Sequence, residues 1–126
     1  MTHIRPLELA EAAPKAQELL GGVQQKMGIV PNLFKVIAHS PAALEAYLNQ
    51  GAALAGTSLS MKLREQIAVT IAGVNGCDYC ASAHTAIGKG AGLSAEELTD
   101  NLAGGASDSK TQVALFFARA VVDGRG

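Results

Sequence analysis

The nine residues Gly76-Cys77-Asp78-Tyr79-Cys80-Ala81-Ser82-Ala83-His84 hold both cysteines of the chain and one of its three histidines. Two thiols separated by two residues can serve as a metal clamp, as a structural staple, or as a reversible thiol–disulfide pair. On a helix, residues three and four apart share a face. Cys77, Cys80 and His84 stand at i, i+3 and i+7, so all three point the same way. At about 1.5 Å rise per residue, the Cys80 and His84 backbones lie roughly 6 Å apart along the axis. Their side chains can meet directly or through one water. Asn75-Gly76 is a strong helix breaker, which puts Cys77 at an expected helix N-terminus. Exposed N–H groups there favour the thiolate, which is the reactive form.

Glu65 adds a carboxylate twelve residues before Cys77, with Met61, Ala68, Val69 and Ala72 on its side of the preceding helix. Beside such small neighbours a carboxylate is either exposed or set over a cavity. Antiparallel packing of the 61–74 helix against the 77–89 helix would turn Glu65 toward Cys80 and His84. A carboxylate, an imidazole and two thiols in one pocket can move protons to and from sulfur. Plainer readings compete. Glu65 could be solvated and paired with Lys62 or Arg64, and the cysteines could be two buried structural thiols. Zinc on Cys77, Cys80, His84 and Glu65 is a further alternative. Structural zinc sites usually take four N or S ligands, however, and the chain has no second CxxC and no HxxxH. No metal and no cofactor are therefore expected.

The elements that must position these groups all read as helices. A first helix is expected from Pro6 to about Leu20, with Pro14 as a break or a start, followed by an interruption at Gly21-Gly22 and a short turn over 23–27. Gly28 to Asn32 reads as a loop, with Asn32 capping a short helix over 33–38. Ser40-Pro41 opens a helix to about Ala55 that carries Leu44, Tyr47, Leu48 and Leu54 on one side. Ser60 caps a helix over 61–74, and the cysteine helix runs to about Lys89, where Gly90 and Gly92 end it. Ser94 with Glu97 forms a capping box for a helix to about Leu102. The last helix spans 110–123, with Phe116 and Phe117 expected in the core or at a subunit interface. His3, near the terminus, and His39, a cap or surface residue, are set aside as ligands.

Length and composition agree with one all-α domain over 1–126, with its core motif at about 59–92. Nearly half of the residues are apolar, yet only five are aromatic and none is Trp, while Ala and Gly abound. Such a core needs helices in near contact and suits burial between subunits. Net charge is close to zero and no basic patch stands out, which speaks against nucleic acid. No apolar run is long enough to span a membrane, and the N-terminus lacks a signal-peptide core. A cytoplasmic protein is expected, where a CxxC is catalytic or metal-binding more often than a permanent staple.

Glu65, Cys77, Cys80 and His84 together read E-x11-C-x2-C-x3-H. This resembles the core motif of the AhpD-like alkylhydroperoxidases of the carboxymuconolactone decarboxylase superfamily. The stretch from Leu59 to Glu65 resembles their lead-in to the glutamate helix. Val30-Pro31-Asn32-Leu33-Phe34 and His39-Ser40-Pro41 resemble the N-terminal part of peroxidase-related members. The likeness covers about residues 20 to 95. It implies an all-helical fold completed by homo-oligomerisation, as a trimer or hexamer, and a peroxidase cycle. In that cycle Cys80 is the peroxidatic thiol, Cys77 resolves it, and Glu65 and His84 relay the proton. The implied partners are a hydroperoxide substrate and an external dithiol reductant. Tyr79 departs from the alkylhydroperoxidase pattern, which has a histidine there; a neutral phenol is a poorer base than imidazole. Peroxidase-related relatives also continue with further helices beyond a stretch like 118–124. The end at Gly126 thus reads as a fragment or as a short member completed by a partner subunit. Within the superfamily the alternative is a muconolactone-type decarboxylase, which has no need of a CxxC; outside enzymes it is a redox-sensing helical oligomer.

Overall fold

The computed structural model describes residues 3–126 and is all-helical, with no strand among the described residues. A short 3-10 turn at Leu9–Glu11 precedes seven α-helices: α1 Pro14–Met27, α2 Asn32–Ile37, α3 Pro41–Ala55, α4 Met61–Val74, α5 Asp78–Gly90, α6 Ala95–Leu102 and α7 Ser109–Gly124. They form two compact units, one ending at Gly56 and the other starting at Thr57. None of the helices described is long and apolar enough to cross a membrane.

The first unit is organised around buried Ala12, Ala16, Leu20, Ala38 and Leu44, with Leu7, Leu19, Val30, Phe34, Ile37 and Leu48 packed against them. Helix α1 begins at Pro14, not at Pro6, and it runs through Gly21-Gly22 without a break. Each glycine costs a helix about 1 kcal/mol relative to alanine. Buried Leu20 and Val23 flank the pair, and each gains about 1.5–3 kcal/mol from burial, which offsets that cost. The stop comes at Gly28, whose φ of 75° is left-handed. Asn32 is the first residue of α2, and the cap position belongs to Pro31. Ser40 caps α3 as its sequence suggests, accepting the Ala43 N–H at 3.3 Å. On α3, Leu44 is buried, whereas Leu54 and Tyr47 are exposed, and Tyr47 meets Phe34 edge-on at 5.7 Å. Polar contacts hold the N-terminal segment. Arg5 donates twice to Glu11 at 2.8 and 3.0 Å, Lys35 reaches Glu8 at 3.3 Å, and exposed His39 Nε2 donates to the Arg5 carbonyl at 2.9 Å.

In the second unit α4 packs against α5, α6 and α7. Ser60 caps α4 by accepting the Leu63 N–H at 3.1 Å. Both halves of the Ser94–Glu97 capping box are made, at 3.1 and 2.8 Å, and Asp108 caps α7. Val69, Leu93 and Leu98 form the apolar core. Around it the interior is polar. The Thr70 hydroxyl lies 2.9 Å from the Gln66 carbonyl and 2.7 Å from the Asn101 carbonyl, and Asn101 Nδ2 donates to Gly105 at 2.9 Å. Gly73 is glycine because a Cβ there would strike the Leu102 carbonyl. On α7, Leu115 is fully buried, but Phe116 and Phe117 are 71% and 69% exposed, so they are not core within this chain. They extend an apolar stripe with Val113 and Val121 at helical spacing on the open face of α7.

Candidate functional site

The turn at Asn75-Gly76, with Gly76 at φ 58°, reverses the chain between α4 and α5 and sets the start of α5. Cys77 is the N-cap of α5, one residue outside the helix, and its Sγ accepts the Cys80 N–H at 3.3 Å. A sulfur at this place satisfies an N–H that has no partner within the helix. Cys77 and Cys80 are joined as a disulfide, with Cα atoms 5.3 Å apart, inside the usual span for such a bond. Both residues are partly exposed.

His84 lies one turn beyond Cys80, and Glu65 lies in the first half of α4. The two helices bring them together: His84 Nδ1 is 2.8 Å from Glu65 Oε2. The Glu65 side chain is 14% exposed and that of His84 is 37% exposed. A carboxylate removed that far from water needs a donor, and the imidazole supplies it. A carboxylate oxygen is the acceptor here, so Nδ1 is the donor and Nε2 is left outside this bond. The plainer pairing of Glu65 with Lys62 does not form. Lys62 instead binds Glu97 at 2.9 Å, which ties the start of α4 to the start of α6. That contact depends on chain topology and leaves no local sequence signal.

Of the four candidate residues, the structure joins Cys77 with Cys80 and Glu65 with His84, the first pair one turn before the histidine of the second. Tyr79 sits in the first turn of α5 between the two sulfurs in sequence and is exposed. Among the described residues, no three His, Cys, Asp or Glu side chains converge as a metal-holding group. A polar cleft of about 420 Å³ between α4, α6 and the start of α7 lies elsewhere in this unit, lined by Lys62, Gln66, Asp100 and Asn101 among others, and none of the four residues borders it. Gly88, one turn beyond His84, is buried, and a Cβ there would lie 3.7 Å from the Glu65 Cβ. In the sequence it is one of three closely spaced glycines, Gly88, Gly90 and Gly92, around the end of α5.

The chain is thus an all-α protein with a CxxC at one helix N-terminus and a Glu–His pair bridging two helices. The family profile of the carboxymuconolactone decarboxylase family matches residues 39–123, more than half of the chain. The chain belongs to that family. No curated protein matches it.

Proposed function

We propose that the protein is a dithiol oxidoreductase of thiol-peroxidase type that reduces hydroperoxides through Cys80 and Cys77. The observation that carries this reading is the disulfide at the start of α5, one turn before an imidazole held by a nearly buried carboxylate. In the reduced protein the Cys80 thiolate attacks one peroxide oxygen. The S–O bond forms as the O–O bond breaks, the alkoxide takes a proton and leaves as an alcohol, and Cys80 becomes a sulfenic acid. Cys77 then attacks the Cys80 sulfur, and water leaves as the disulfide forms. An external dithiol reopens the bridge and is itself oxidised to a disulfide. His84 Nε2 takes the thiol proton and returns it to the leaving oxygen, while Glu65 holds the ring in the required tautomer. With Tyr79 in place of a second histidine, this relay consists of His84 and Glu65 alone. Assembly into a homo-oligomer, in which other copies cover exposed apolar surface, belongs to the same reading.

The test is thiol titration before and after one equivalent of hydroperoxide. Wild type is expected to lose two thiols, and Cys77→Ser to stop at a sulfenic acid on Cys80. The opposite pattern, a stalled sulfenic acid in Cys80→Ser, exchanges the two roles. Full peroxide turnover in Cys80→Ser sinks the reading. Activity on a muconolactone-like acid that survives loss of both thiols would replace it with decarboxylation.

A further inference from the structure

We propose that the cleft between α4, α6 and the start of α7 is a binding site for a small neutral polyol, separate from the cysteine pair and independent of the peroxidase reading. The cleft measures about 420 Å³, within the range of small-molecule sites. Asn101 lines it and is 1% exposed. Its Nδ2 donates to the Gly105 carbonyl at 2.9 Å, which fixes the orientation of the amide. Its Oδ1 is buried and has no hydrogen-bond partner among the described residues. A buried acceptor left unmet is costly, and folded proteins keep few of them. Gln66, 7% exposed, brings a second primary amide to the same cleft.

The surroundings of these amides are held in place. The Thr70 hydroxyl lies 2.9 Å from the Gln66 carbonyl on α4 and 2.7 Å from the Asn101 carbonyl on α6. The loop that supplies Ala106 to the lining is pinned by Gln112. Its Nε2 donates to the Gly104 carbonyl at 3.0 Å, and its Oε1 accepts the Ala106 N–H at 2.8 Å. Much of the ordering that binding would otherwise demand is already done.

The lining decides the class of ligand. Its charges are largely engaged: Lys62 pairs with Glu97 at 2.9 Å, and Asp108 accepts the Thr111 N–H and hydroxyl at 2.8 and 2.7 Å. Asp100 and Lys110, both exposed, add one charge of each sign, so neither sign dominates. An ionic group set beside two neutral buried amides would lose water without gaining a counter-charge. A hydroxyl loses little, because one oxygen can donate to Asn101 Oδ1 and accept from the Gln66 amide. Among the described residues, no aromatic ring borders the cleft, so nothing there would stack on a nucleobase or another flat ring.

The test is a 1H–15N titration of the full chain with glycerol, xylitol and myo-inositol, and with ethanolamine as a cationic probe. Backbone and side-chain amides are assigned in the wild type. Polyols excluded from a protein surface raise its thermal stability without any site, so saturation is the readout. At least one polyol at millimolar concentration is expected to give saturable shifts of the Asn101 and Gln66 side-chain amides and of the amides of 107–111, with those of α5 unmoved. Gln66→Leu keeps the bulk and loses the amide, and should weaken binding about tenfold or more, the scale of one lost hydrogen bond. Asp100→Asn removes an edge charge and should bind as wild type does. Shifts that do not saturate with any of the three polyols overturn the proposal, as do saturable shifts that map elsewhere. Saturation by ethanolamine alone overturns the neutral class, and so does loss of polyol binding in Asp100→Asn. Wild-type affinity in Gln66→Leu removes the amide from the site and overturns the proposal too. Should Gln66→Leu fail to fold, the wild-type shift map decides alone.

Discussion

The unit that ends at Gly56 and the unit that starts at Thr57 use small residues in different ways. In the first, Ala12, Ala16 and Ala38 are buried between Leu20 and Leu44 and act as filler that lets apolar side chains close up. In the second, Gly73 and Gly88 stand where helices pass closely: one admits a carbonyl of α6, the other lies against the side chains of Leu98, Leu93 and Glu65. The interiors differ to match. Among the described residues no buried polar side chain is found in the first unit, whereas Gln66, Thr70 and Asn101 are buried in the second. Filler gives stability that tolerates small shifts. Close passages and buried hydrogen bonds give a fixed distance between helices, which the proposed proton relay would need and a packing core does not.

This contrast can be broken from either side. The largest effect is expected for Cys80→Ser, which should lower peroxide turnover by about 10³-fold or more while circular dichroism keeps its helical form. Next is Leu44→Ala, at a fully buried position of the first unit, which should cost about 2–5 kcal/mol in denaturant unfolding. If the units are as distinct as their interiors, hydrogen exchange should quicken up to residue 56 and the His84 nitrogens should not move. Glu65→Gln keeps an acceptor for Nδ1 but removes the charge, and should lower kcat/KM by about 10²-fold. An unchanged kcat/KM would make the carboxylate a structural partner only. Ser40→Ala and Ser94→Ala should each lose about 1 kcal/mol, because a cap is a local device and works alike in both units.

Acid should act on both units and by the least. In the first, the hydrogen bonds that Glu11 accepts from Arg5 and from the Glu8 N–H lower its pKa to about 2. In the second, the Ser94 N–H and then Lys62 lower that of Glu97, and Thr111 lowers that of Asp108. A carboxyl group depressed in the folded state stabilises it fully above its unfolded pKa and loses that contribution as pH falls through the folded value. For Glu11 the loss should spread from about pH 4.5 down to about 2. Exchange of the α1 amides followed over that range would show it, and Glu11→Gln should flatten the response.

What the sequence made legible was whatever is coded locally. Ser40, Ser60 and Ser94 mark their helix starts because a cap needs only the next three residues. Cys77 lands at the head of α5 because Asn75-Gly76 forces the turn, and the E-x11-C-x2-C-x3-H spacing holds enough register to bring Glu65 to His84. What could not be read depends on partners distant in the chain. Gly21-Gly22 looks like a break until Leu20 and Val23 are known to be buried. Phe116 and Phe117 read as core or subunit interface, and only their exposure within the chain separates the two, because the type of an apolar side chain says nothing about what covers it.

The N-cap position of Cys77 bears on how far a change of redox state can travel. One sulfur caps a helix and the other stands in its first turn, and the Cys80 amide already points at Cys77 Sγ while the bridge is closed. When the bridge opens, that amide faces a sulfur able to carry charge, so the cap tightens as the covalent bond is lost. One constraint replaces another within four residues. The two oxidation states should then share nearly the same backbone, with amide exchange differing around the head of α5 and fading before His84. On the proposed redox cycle the site would switch without a hinge, and a molecule that must tell oxidised from reduced protein would have to read the sulfurs themselves.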